Sequence, residues 1–128
     1  MLNKTGITKV TGAAPTQILF NVAHQMSVGI KLPHNFAGAV VENGRKIVKA
    51  GTPLTGDLTN RSAAFTAAGE NAVGVLLHDV DVTTTDANAT LLIWGFVNLN
   101  RVDSTTRAKL TSAIQTSLAG KVYFLSDN

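Results

Sequence analysis

Apolar positions along this chain follow two spacings, and the spacing changes near residue 103. Between residues 18 and 32 both occur. Ile18, Leu19, Val22 and Met26 fit a helical stripe, whereas Val28, Ile30 and Leu32 alternate as a half-buried strand would. Pro33 ends the segment, because its ring removes a backbone donor. Phe36 to Val41 is apolar and β-prone. Glu42-Asn43-Gly44-Arg45 follows, and its Asn-Gly pair predicts a hairpin turn because both residues tolerate positive φ. Lys46 to Lys49 is then the returning strand, and Ala50-Gly51-Thr52-Pro53-Leu54 turns the chain. Residues 55–71, rich in Thr, Asn, Ala and Gly, read as a long loop with little regular structure.

The second half is more apolar. Ala72 to Val82 is a strand opening with Val73-Gly74-Val75-Leu76-Leu77, and Thr83 to Asn88 is a polar connection. Ala89 to Asn98 carries the run Thr90-Leu91-Leu92-Ile93-Trp94-Gly95-Phe96-Val97. A continuous apolar run predicts burial on both faces, with Trp94 in the core. The short connection predicts antiparallel pairing of these two strands. One helix is expected next. Asp103 or Ser104 caps it, Leu110, Ile114 and Leu118 form one stripe, and Gly120 stops it in the left-handed conformation. Leu92, Trp94, Leu110, Ile114 and Leu118 are expected in a single core. Lys121 to Leu125 is the last strand.

These elements predict a mainly β fold with one C-terminal helix (α+β), as a single domain over residues 18–128. Residues 1–17 are small and polar and end near Ala13-Ala14-Pro15. They read as a flexible N-terminal arm, ordered when a partner holds it. With 128 residues the chain supports one hydrophobic core of ordinary size.

Composition narrows the function. Charged residues make up 15% and aromatics 5%, and there is no cysteine. That excludes a thiolate nucleophile, a disulfide or a cysteine metal site, and offers little for a nest of catalytic ionisable groups. The Met1-Leu2-Asn3-Lys4 start lacks the apolar core of a secretion signal, and no apolar run approaches the roughly 18 residues of a membrane span. The expectation is a soluble chain made in a cytoplasm, with no membrane partner. The net charge of +3 is uneven. Residues 1–49 hold Lys4, Lys9, Lys31, Arg45, Lys46 and Lys49 against Glu42, whereas residues 50–128 hold more acids than bases. Nucleic-acid binding would call for denser basic patches interleaved with aromatics, so no nucleic-acid partner is expected. The basic first part is a solvated arm or one that meets an acidic protein surface.

The candidate chemistry is sparse. His24, His34 and His78 share no metal-ligand spacing. On a regular strand His78 lies on one face with Val80 and Val82, and Asp79 and Asp81 on the other, so His78 and Asp79 point apart. Ser27 and Ser62 lack a nucleophile context, and no phosphate loop is present, since Gly51 to Gly56 is followed by neither Lys-Ser nor Lys-Thr. No catalytic residue, metal site or cofactor is expected, and a small hydrolase lacks a nucleophile–base pair.

One region carries a resemblance. Ala50-Gly51-Thr52 is followed by Gly74-Val75-Leu76-Leu77-His78-Asp79-Val80-Asp81-Val82, then by Thr84-Thr85-Asp86-Ala87-Asn88-Ala89 and Gly95-Phe96-Val97-Asn98. This order resembles phage head decoration and head fibre proteins of the lambda decoration type. There an "AGT" turn precedes a "G-(I/V)-L-(L)-x-D-V-D" strand, a short Asp/Gly/Ala loop and an apolar strand ending "G-x-V-N". About 50 residues match strongly and about 80 weakly. Residues 1–49 are longer than in the compact type, and His78 stands where a small or acidic residue is expected. The resemblance implies a non-enzymatic virion protein forming homotrimers on the outer surface of the mature head and clamping the major capsid protein against internal DNA pressure. It implies no catalytic residues. Its capsid-ordering arm would fall on residues 1–17 here, with Lys4, Ile7, Lys9 and Val10 as the capsid-binding residues. The alternative is an anchoring base or adaptor for a head fibre or host-surface-binding module.

Overall fold

The Asn43-Gly44 turn forms as its chemistry dictates, with φ of 53° and 78°. It joins β2 (Val40–Glu42) to β3 (Arg45–Val48) in the computed structural model, which describes residues 17–19 and 23–126. The predicted arm over residues 1–17 therefore falls, but for Gln17, outside the described residues, as does Val22 of the proposed helical stripe.

The fold is mainly β, with two sheets and short helices. The larger sheet runs β1 (Met26–Leu32), β8 (Ala87–Asn98), β6 (Gly74–Leu76), β4 (Pro53–Thr55) and β5 (Thr66–Ala67), and β9 (Val122–Leu125) also pairs with β8. The smaller sheet is β2-β3-β7, where β7 is Val80–Asp81. All pairings are antiparallel except β8 with β9. Of the two spacings within residues 18–32, the alternating one forms a strand over Met26–Leu32. Ile18 and Leu19 reach the core by a different route: Leu19 bridges Val97, and Asn98 N–H donates to Ile18 O at 2.7 Å.

Four expectations need correction. The strand expected over residues 72–82 is two strands in different sheets, because the chain leaves β8 after Leu77 to pair Val80 and Asp81 with β3. The turn at residues 50–54 is shorter than expected, since Pro53 and Leu54 already pair with β6. The 55–71 loop holds β5, and it buries Phe65 completely against the Gly56 backbone, where an added Cβ would lie 2.5 Å from the ring. The single closing helix is two: α1 (Ser104–Arg107) and α2 (Ser112–Ser117). Ser and Thr hydroxyls favour caps over helix interiors, and this stretch is dense in them. Asp103 caps the first helix at Thr106 N–H, and Thr111 restarts the chain by accepting from Ile114 N–H. Leu110, Ile114 and Leu118 still share one core, because the intervening turn keeps them on one side. Gly120 then takes φ of 81°.

The large sheet separates two cores. On one face Leu92, Val75, Val97 and Val122 pack with Ile18, Val102 and the helical Leu110, Ile114 and Leu118. On the other, Leu91, Leu76, Ile30 and Leu32 pack with Phe65 and with Val48 of the small sheet. Adjacent residues of one strand thus serve opposite cores, which is why the apolar run in β8 is continuous.

Candidate interaction surface

Strand β8 is regular only over its first half. Ser27 of β1 faces Leu92, but the next residue back, Met26, faces Trp94, so Ile93 is an extra residue in the ladder. Such a bulge reverses which parity faces which side. Before it, Ala89 and Leu91 point to the Phe65 core and Leu92 to the helical core. After it, Val97 points to the helical core, and Trp94 and Phe96 point away from it. The parallel partner β9 repeats the split, with Val122 and Phe124 packed against the helical core and Tyr123 and Leu125 on the far side.

The result is an apolar face that no layer of the described residues covers. Trp94 is 40% exposed, Met26 59%, and Tyr123 and Leu125 44% each. Their rings are organised. Trp94 meets Phe96 edge to face at 5.9 Å, and Phe96 stacks on Tyr123 at 5.3 Å with 18° between planes. The expected place of Trp94 in the core is therefore overturned: the bulge turns it outward. Leu92, Leu110, Ile114 and Leu118 do share the helical core.

The three rings pack on one another as one cluster rather than standing apart. None of Met26, Trp94, Phe96, Tyr123 and Leu125 carries a charge. Beside them β9 pairs with β8 alone among the described residues, so its outer backbone edge is available to another strand.

The ionisable groups sit elsewhere and act as ties. Lys49 bonds Glu42 at 2.8 Å and approaches Asp79 at 3.7 Å; its bond to Glu42 raises its pKa above the ordinary value, with the nearby acid charges helping and burial opposing. Asp79 also accepts from Ala50 N–H at 2.8 Å. Asp81 takes bonds from the Thr83 hydroxyl and from the Arg45 guanidinium, and these hold its carboxyl at a pKa of about 2. Asp86 is lowered by the backbone N–H and ring of His34. His78 makes no bond to Asp79. Its Nδ1 is buried without a partner among the described residues, as is Oε1 of Gln25. Among the described residues no three His, Cys, Asp or Glu side chains come together to hold a metal.

The four residues that sequence reading assigned to capsid binding, Lys4, Ile7, Lys9 and Val10, lie outside the described residues. The face formed by Met26, Trp94, Phe96, Tyr123 and Leu125 was not anticipated. A signal existed: Val122-Tyr123-Phe124-Leu125 is apolar at both parities, yet only two layers of structure are available to cover it. No protein-family model matches this chain, and no curated protein matches it either.

Proposed function

We propose that the chain is a capsid decoration protein of the lambda decoration type, which binds the outer surface of a mature phage head as trimers and stabilises it without catalysis. Residues 1–17, through Lys4, Ile7, Lys9 and Val10, are the arm that meets the major capsid protein. The observation that carries the reading is the uncovered aromatic face of β8 and β9. An exposed, uncharged cluster of large apolar side chains marks a protein–protein contact. We assign it to a second copy of the chain. Large uncharged side chains from neighbouring copies meet without repulsion, and a ring of three closes when this face meets a different surface of the next copy. The open edge of β9 continues the same surface.

Trimers bridging subunit boundaries would bind by many weak contacts at high effective concentration, and ligation of the mature shell would favour that state by mass action. Cryo-microscopy of the virion tests this. Three copies around each local three-fold axis, with Trp94 and Tyr123 between them, are expected. Isolated monomers, or density only at five-fold vertices, would overturn it. Virions lacking the protein should lose DNA on milder heating and recover when purified protein is added. Equal heat resistance with and without it removes the stabilising role.

A further inference from the structure

A second feature lies away from the aromatic face. A hollow of about 420 Å³ opens over the β1–β8 ladder, floored by Gly29–Lys31 and Asn88–Ala89 and walled by Arg61 and Ser62. Its size falls within the range of ligand sites, roughly 300–1,000 Å³. Gly29 leaves the floor bare: a Cβ built there meets nothing within 4 Å. No neighbour and no positive φ demands a glycine, so the space itself is what its missing side chain provides.

Two cations border this space. Arg61 reaches back from its loop, and its Nη1 donates to Gly29 O at 3.2 Å, which ties the guanidinium to the strand that floors the hollow. Lys31 of β1 lines the same hollow. Neither is in an ion pair among the described residues. Asp86 feels the Lys31 charge, but its carboxylate is taken by His34 N–H at 2.9 Å. Two like charges at one hollow, whose lining is otherwise mostly apolar, are relieved by an anion between them. With one guanidinium nitrogen held by the Gly29 carbonyl, the remaining planar N–H groups suit a planar acceptor side by side, the geometry in which arginine binds carboxylate. Asn88 lines the same hollow.

We propose that this hollow is a binding site for a carboxylate group, held by Arg61 and Lys31 over the bare backbone of Gly29. The proposal stands apart from the decoration reading, since it concerns a different face and a different chemistry.

Titration of the ¹⁵N-labelled full chain, followed by amide shifts, tests it with four probes: the peptide acetyl-Gly-Glu-Gly-amide, its Gln counterpart, glutarate and inorganic phosphate. Saturable shifts at Gly29, Ile30, Lys31, Asn88 and Ala89 are expected with the Glu peptide and not with the Gln peptide. A response to the peptide but not to glutarate assigns an acidic side chain of a protein; a response to both assigns any free carboxylate. Arg61→Gln should weaken binding about tenfold or more, as loss of a hydrogen bond to a charged group does. Gly29→Leu should abolish binding by filling the space. Should Gly29→Leu disturb the fold, Arg61→Gln, on the surface, still decides. Equal shifts from the Gln peptide, tighter saturation by phosphate, no saturable shift at all, or unchanged affinity in Arg61→Gln would each overturn the proposal.

Discussion

The two faces of the β8–β9 pair are built from neighbouring residues of the same strands, yet they end in opposite environments. Val97 and Val122 are buried under α2, with Ile114 and Leu118 completely enclosed above them. Phe96 and Tyr123 stand beside them on the ladder on the other side, Tyr123 exposed and Phe96 half-buried against it. Hydropathy does not separate the two sets; the outward one is the larger and more aromatic. What separates them is the presence of a second layer. The small sheet covers the far face only as far as Val48, Val80 and Val82, and it stops short of the aromatic end. Burial here is therefore a property of what lies across the sheet, and an apolar run alone does not reveal it.

Substitutions under the helical layer should have the largest effect. Ile114 is fully enclosed, so Ile114→Ala removes three carbons from a packed site and leaves a cavity. A loss of about 2–5 kcal/mol is expected. Urea unfolding checks it, and an unchanged midpoint would mean that α2 does not close this face. Weakening the layer from its end should cost less. Thr111 accepts from Ile114 N–H, and Thr111→Ala leaves that donor without its cap, at about 1 kcal/mol. Thr111→Ser keeps the oxygen and should restore most of the loss.

How far the sequence foretold this contrast differs by element. The Asn43-Gly44 hairpin, the alternation in β1 and the Leu110-Ile114-Leu118 stripe each rest on local chemistry, and each is present. The helix break at Thr111 was also local, written in the Ser and Thr hydroxyls that prefer caps, but the apolar spacing masked it. The bulge at Ile93 is of another kind. It arises from how β1 and β8 register against each other, and no window of either strand shows it. Because it decides the direction of Trp94, the candidate surface was hidden with it. Phe65 likewise gave no periodic signal, being a lone aromatic in a polar loop whose burial depends on Gly56 and the distant β1.

The small sheet, which covers part of the far face, should loosen in acid. Asp81 joins β7 to Arg45 on β3, and its pKa lies near 2 against an ordinary 3.8. A depressed carboxyl stabilises the fold fully above its unfolded value and loses that contribution as pH falls through the folded one. The window is therefore between pH 4 and 2, with Asp86 and Asp57, also lowered, contributing in the same direction. Protection of the Val80 and Asp81 amides, with the intrinsic pH dependence of exchange divided out, should fall in that window, and less so in Asp81→Asn, which has no proton left to gain. An equal fall in both would place the acid-sensitive tie elsewhere.

The smallest effect on stability should come from the bare face itself. Met26 is the most exposed member of the cluster, at the end of β1 opposite Trp94. Met26→Thr puts a β-branched residue on a strand, where its backbone preference is good, and removes mainly surface that water already reaches. The unfolding free energy should change by no more than about 0.5 kcal/mol. The same substitution interrupts the apolar cluster by which copies are proposed to meet, so light scattering at high protein concentration should show weaker association than in the parent chain. A variant that loses stability like Ile114→Ala would show that this face is covered within one chain. Unchanged stability together with unchanged association would show that Met26 lies outside the contact. Loss of association alone is the outcome that separates a face built for packing within the chain from one built for packing between chains.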